Sequence, residues 1–393
     1  MVVPRHDDGG FAALPATVAR LLGVGEGGVA LAEVPAPVQR VVLVLLDAFG
    51  WRFFTRHGEH PLLRRLDAVA RLTTQFPSTT TAHTTTLHSG APVGEHGLYE
   101  WNIYDPVVDA LITPLLFSYA GDGERDTLLP AGADPASVLP LGTTFYERLG
   151  AAGVDCHAFA PAAFAPSTYD GVAVRGARIH PMTDLPTGLV ELAATLRGTD
   201  GPAYAFVYWD ELDATGHVHG PSSREFAAVA ERCLDALDSG LRGLPEGTVV
   251  LLAADHGQVD VDPATVVYVN EAWPEVLALL ARGAGGRVLA PAGSARDLFL
   301  HCRPETVDDV VGGLAGLLGE RATVHRVEDM IAAGWFGEVG ERLRARLADV
   351  CVLPATGETV WWHERHRFEM RFRGHHGGLS DDEAQTQVAA FVV

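Results

Sequence analysis

The run Val41-Val42-Leu43-Val44-Leu45-Leu46 contains no polar residue and closes on Asp47. Such a segment leaves no face for water, so it fits a strand buried on both sides of a parallel sheet. Similar runs recur at Val154 to Phe159, Ala203 to Trp209 and Val249 to Ala254, separated by segments of helical spacing such as Phe226 to Leu241. Strands alternating with helices need right-handed crossovers. They predict an α/β fold with a mostly parallel central sheet and helices on both faces. In such sheets functional groups gather at the carboxyl ends of the strands. Three of these runs end in acids, at Asp47, at Asp210-Glu211-Leu212-Asp213 and at Asp255-His256, which places carboxylates on one rim.

The 393 residues are 47% hydrophobic and 20% charged, a globular balance with enough apolar mass for a large core. No period of about 20 to 50 residues indicates a solenoid. Gly121 to Gly142, rich in Gly, Pro and Asp, reads as a long surface connection, and Gly283 to Ala295 as a hinge. The pattern from Asp297 to about Cys351, with a helix over Val307 to Leu318, predicts a small inserted α+β lobe at 283–355. It lies between a main domain at 1–282 and a return to that domain at 356–393.

Fifty acids against 29 arginines leave a formal charge of −21, which argues against nucleic-acid scaffolding or an anionic membrane partner. A small phosphorylated substrate stays open, because bound cations reverse the sign of a site locally. The chain has no lysine, which excludes Schiff-base and Walker-type lysine chemistry. Cys156, Cys233, Cys302 and Cys351 are far apart, so neither a zinc knuckle nor a disulfide framework is indicated. Val41 to Leu46 is too short to span a bilayer at about 20 residues. With Asp7 and Asp8 ahead of the apolar stretch Phe11 to Ala19, the N-terminal segment reads as an amphipathic helix of a cytoplasmic protein.

Asp47, Asp213, His217, Asp255, His256 and His376 form the chemical constellation. Six oxygen and nitrogen donors can make two three-ligand sites of a kind that suits zinc. Two divalent ions about 3.5 to 4 Å apart can clamp the attacking and leaving oxygens of a phosphoryl displacement. The nucleophile candidates lie in the segment Phe76 to Gly90, where Pro77 and a Ser/Thr cluster mark a helix start whose N–H groups face an anion.

These residues resemble the alkaline phosphatase superfamily, and within it the type I phosphodiesterase/nucleotide pyrophosphatase branch. The similarity rests on a strand ending in Asp47, the Phe76 to Gly90 segment, Asp213-Ala-Thr-Gly-His217-Val-His-Gly-Pro221, Asp255-His256-Gly257 and His376-Gly377. The resemblance implies that Thr80 is the covalent nucleophile, sharing a metal with Asp47, Asp255 and His256. Asp213, His217 and His376 would hold a second ion, both most simply Zn2+, with Mn2+ or another divalent ion as alternatives. It also implies a phosphoric ester hydrolase acting through phosphoryl-threonine on a small phosphorylated substrate such as a nucleotide. A monoesterase or phosphomutase of the same superfamily, or a catalytically silent metal-dependent binding protein, are the alternative readings. The family's Asn falls on His83, which makes His83 the candidate contact to a phosphoryl oxygen.

Rival assignments surround several of these positions. Eight threonines between residues 73 and 86 make Thr79 and Thr81 competitors of Thr80, and His375 competes with His376. Asp213 and His217 could be a surface helical pair, and His219 is read as a neighbour. Trp101 could stack on a substrate group or simply pack. Cys302 in Cys-Arg-Pro-Glu-Thr is read as structural.

Overall fold

A computed structural model of the chain describes residues 1–283 and 285–393. Seven strands form the central sheet: β1 (Arg40–Leu46), β2 (Ala68–Thr73), β3 (Asp155–Pro161), β4 (Arg178–Met182), β5 (Ala203–Trp209), β6 (Thr248–Ala253) and β7 (Gln385–Val392). Their order across the sheet is β2-β7-β6-β1-β5-β3-β4. β1 pairs in parallel with β5 and β6, and β3 with β4 and β5. β7 alone runs antiparallel, between β2 and β6. The apolar runs predicted the four innermost parallel strands; β2 and β4 carry too little continuous apolar sequence to announce themselves, and the run Val388 to Val393 of β7 is not among those assigned.

Burial on both faces explains the β1 composition. Val41, Leu43 and Leu45 enter one core, while Val42, Val44 and Leu46 enter the other. The second core is closed by two helices, α2 (Leu185–Arg197) and α4 (Arg224–Leu241), whose buried leucines recur at helical spacing. On the opposite face sits α1 (Thr80–Ser89), capped by the Thr79 side chain and ended by Gly90 at φ 65°.

Residues Ala292–Ser294, Asp297–Leu300, Ala322–Arg326 and Val350–Pro354 make a separate four-stranded antiparallel sheet, covered by the helix Val307–Leu318. A three-stranded antiparallel sheet spans Ile103–Asp105, Ala110–Thr113 and Ser118–Tyr119. The four cysteines are buried and unpaired. No described helix is long and apolar enough to cross a membrane.

Candidate active site

The register of the central strands brings the acids together. Leu46 faces Trp209 and Leu45 faces Ala253, so Asp47 emerges beside Asp210 and Asp255 at one sheet edge. Asp47 N–H donates to Trp209 O at 3.0 Å, and Ala48, at φ 61°, turns its N–H onto Asp255 Oδ1 at 3.1 Å. A non-glycine residue in this left-handed region is strained, and the bond to Asp255 is one contact that holds it in the turn that presents Asp47. His256 Nε2 lies 3.4 Å from Asp47 Oδ1 and 3.5 Å from Asp255 Oδ2.

Thr80, the first residue of α1, points into this group. Its Oγ1 is 3.3 Å from Asp47 Oδ2 and 3.1 Å from His256 Nε2. Neither rival bonds to the acid–histidine group: Thr79 caps the helix and donates to Tyr99 O at 2.9 Å, and Thr81 Oγ1 is buried without a hydrogen-bond partner.

Asp213 and His217 lie on α3 (Glu211–His219), with His217 Nε2 3.2 Å from Asp213 Oδ2. His376 Nε2 approaches the other oxygen, Oδ1, at 3.7 Å. His375 turns its Nδ1 back onto the His376 N–H at 2.9 Å, and His219 is exposed. Two triplets of donor atoms lie within 4.8 Å of one another: Asp47, Asp255 and His256, and Asp213, His256 and His376. His256 thus belongs to both triplets, while His217 joins the second through Asp213.

Electrostatics make this set uncomfortable without a cation. Burial, then the charges of Asp255 and Asp213, push the Asp47 carboxyl well above its usual range, and burial raises Asp255 to about 6. Burial lowers His256 to about 4. Asp255 Oδ2 is a buried acceptor with no hydrogen-bond partner. An orphaned carboxylate oxygen among imidazole nitrogens and a second carboxylate is the donor chemistry a divalent ion satisfies. The residues present therefore fit a metal.

Three supporting residues escaped the sequence reading. Tyr208 OH donates to Asp47 Oδ2 at 2.5 Å. Gln258 Nε2 donates to Asp213 Oδ1 and, at 3.1 Å, to Asp213 O. Asn102 lines the same cavity as Thr80, its Oδ1 accepting from Thr113 Oγ1 at 3.0 Å, which leaves its amide N–H groups as donors. Only adjacency to sequence already singled out, beside Asp210, Gly257 and Trp101, could have flagged them.

The expectation for His83 is corrected. Its Nε2 accepts from Gln75 N–H at 2.9 Å and its Nδ1 donates to Thr79 O at 2.6 Å, so both nitrogens are spent on backbone. The ring is wholly buried against Phe11 and does not line the cavity. Trp101 stands at the cavity rim with 44% of its surface exposed, so it is no core tryptophan. Cys302 is buried in the small antiparallel region, away from these groups.

A cavity of about 570 Å³ opens beside Thr80. Asp47, Asp213, His217 and His376 form one end, and apolar residues including Leu115, Phe164, Ile179 and Phe206 line much of the rest.

An α/β sheet with a helix-start threonine and two acid–histidine triplets gathered at one edge defines a hydrolase of the alkaline phosphatase superfamily. The chain belongs to the type I phosphodiesterase / nucleotide pyrophosphatase family, whose model matches residues 41–379. Among curated proteins no sequence matches. Among solved structures it is similar to murine ectonucleotide pyrophosphatase / phosphodiesterase 5, with TM-score 0.64, 16% identity, and 89% of this chain and 88% of that chain covered. An inactive form of the murine protein in complex with AMP gives TM-score 0.65 at 16% identity, covering 89% of this chain and 87% of that one. The human protein gives TM-score 0.65 at 15% identity, over 89% and 87% of the two chains.

Proposed function

We propose that the chain is a divalent-metal-dependent phosphodiesterase or nucleotide pyrophosphatase that works through a phosphoryl-threonine at Thr80. The observation that carries this reading is the Thr80 hydroxyl at an α-helix N-terminus, 3.1 Å from His256 Nε2 and 3.3 Å from Asp47 Oδ2. A nucleotide substrate is supported by the family and by the AMP complex of the murine relative.

Asp47, Asp255 and His256 would hold one ion, and Asp213, His217 and His376 the other, with zinc the natural match to these donors. Bound divalent ions supply Lewis acidity and neutralise charge during in-line phosphoryl displacement. The N-terminal end of α1 directs its dipole and free N–H groups at the phosphoryl oxygens. Asn102 adds side-chain N–H donors to the same space, the task first assigned to His83. The new P–O bond to Thr80 forms as the bond to the leaving alcohol breaks. Water then cleaves the phosphoryl-threonine and restores the hydroxyl.

Assay of the zinc-loaded protein with bis-p-nitrophenyl phosphate and p-nitrophenyl phosphate tests the reading. Faster cleavage of the diester is expected. Preference for the monoester would shift the assignment to a monoesterase or phosphomutase, and no cleavage of either by fully loaded protein would refute it.

A further inference from the structure

Two acids outside the metal-binding set, Glu100 and Asp297, are wholly buried, and their carboxyls lie within hydrogen-bonding reach of each other. Glu100 comes two residues ahead of Asn102. Asp297 closes the hairpin between Ala292–Ser294 and Asp297–Leu300 of the four-stranded antiparallel sheet. Two ionised carboxyls only accept, so they cannot bond one another unless a proton lies between them, and burial makes the pair of bare charges costly.

Their other partners decide which acid holds the proton. Glu100 accepts from the backbone N–H groups of Trp101 and Asn102, bonds that favour its charged form. Asp297 Oδ1 accepts from Ser294 Oγ, while Asp297 Oδ2 is a buried oxygen with no hydrogen-bond partner. A proton on Oδ2, donated to Glu100, satisfies that oxygen. Burial, then the charge of Glu100, raises the Asp297 carboxyl well above its usual range. No other group facing Asp297 neutralises the pair. Arg296 is spent on Glu383 and on the carbonyls of Ala355 and Glu358, and burial keeps Tyr99 and Cys351 neutral.

The same hairpin reaches the site from behind. Gly293 N–H donates to O of Asn102, whose side chain lines the cavity, at 2.7 Å. Ser294 Oγ approaches His376 O at 3.5 Å, and a Cβ on Gly377 would come 2.6 Å from Asp297 Oδ1, so the Gly377 backbone rests on this acid.

We infer that Glu100 and Asp297 form a carboxylate–carboxylic acid pair holding one proton on Asp297, and that this pair positions Asn102 and the Gly377 backbone for the reaction. The positioning role rests on the phosphodiesterase reading given above, whereas the shared proton does not.

Difference infrared spectroscopy in D2O at neutral pH, parent against Asp297→Asn, tests the proton on the zinc-loaded protein. The carbonyl band of one protonated acid should be present in the parent and lost in the variant. Asparagine keeps both bonds, since Oδ1 accepts from Ser294 and Nδ2 donates to Glu100. Its kcat/KM for bis-p-nitrophenyl phosphate should therefore stay within about threefold of the parent, whereas Asp297→Leu should lose about 100-fold, chiefly in kcat. Where Asp297→Leu does not fold, Asp297→Ser, too short to reach Glu100, makes the same comparison. Absence of the acid band, as two carboxylates around a cation would give, overturns the shared proton. An Asp297→Asn variant as slow as Asp297→Leu, or an Asp297→Leu variant as fast as the parent, overturns the positioning role. Should the parent cleave no ester, the phosphodiesterase reading and the positioning role fall together, while the acid band still decides the proton.

Discussion

The imidazoles of His256 and His376 lie face to face, 3.7 Å between centroids and 13° from parallel. Each Nδ1 is tied to a backbone carbonyl, His256 to Gly257 O at 3.1 Å and His376 to Ser78 O at 3.0 Å. That fixes both tautomers and aims both Nε2 atoms at carboxylates, the orientation that outer hydrogen bonds commonly give metal-ligating histidines. The His376 tie also anchors its loop to the segment that starts α1, so Thr80 and the second donor group share one support.

Replacing Thr80 by Ala should lower turnover of phosphodiesters by about a thousandfold or more. Circular dichroism and metal content should match the parent. An unchanged rate would remove Thr80 as nucleophile.

Dialysis against a chelator should abolish activity, and added zinc should restore it. By plasma mass spectrometry, Asp255→Asn and Asp213→Asn should each lose about one bound ion per chain, from different sites. Tyr208→Phe keeps every donor but removes the hydrogen bond that orients Asp47. Its metal affinity should fall by about 10- to 100-fold, read by competition with a chelating dye.

His83 divides the structural from the substrate-contact assignment. His83→Phe strands the Gln75 N–H, while the Thr79 carbonyl keeps the backbone N–H of residue 83. It should cost about 1 to 3 kcal/mol in urea unfolding, with KM unchanged in the folded protein. A raised KM at unchanged stability would return His83 to the substrate.

Glu383 pairs with Arg296 at 2.8 Å, both wholly buried, and also accepts from Gly378 N–H and Ser380 Oγ. Burial raises this carboxyl, but Arg296 more than reverses the effect and holds it below the usual value. A depressed carboxyl contributes stability above its unfolded pKa, about 4.3, and loses that contribution as pH falls through the folded value. Glu383→Gln should therefore cost about 3 to 5 kcal/mol at neutral pH. The gap in melting temperature between variant and parent should close on acidification below about pH 4.

The sequence disclosed the parts of the fold whose side chains all point into cores. β1, β5 and β6 are read directly because burial on both faces demands apolar residues almost throughout, and β3 is read with them although Asp155 and His157 interrupt it. β2 alternates in exposure as an edge strand and shows no such run, while β7 opens with Gln385, Thr386 and Gln387, two of which find buried partners, ahead of the apolar run Val388 to Val393. Asp47, Asp213, Asp255, His256, His217 and His376 could be singled out in the sequence because acids and histidines recur together in short motifs after buried runs, and the structure brings five of them into two neighbouring triplets, with His217 beside Asp213. Tyr208, Gln258 and Asn102 act through hydrogen bonds that depend on three-dimensional neighbours, and their residue types are common in any strand or loop. His83 misled because its place in a motif says nothing about which way its ring turns; Phe11 and two backbone groups decide that.

β7 occupies the interior of the sheet, hydrogen-bonded on one edge to residues 68–73 and on the other to 249–253. During synthesis the ribosome therefore delivers Thr80 and the first acids long before the strand that closes the sheet between them. A nascent chain halted ahead of residue 374 lacks both His376 and that closing strand. Assembly of the sheet and of the second donor triplet then waits on residues 376–392.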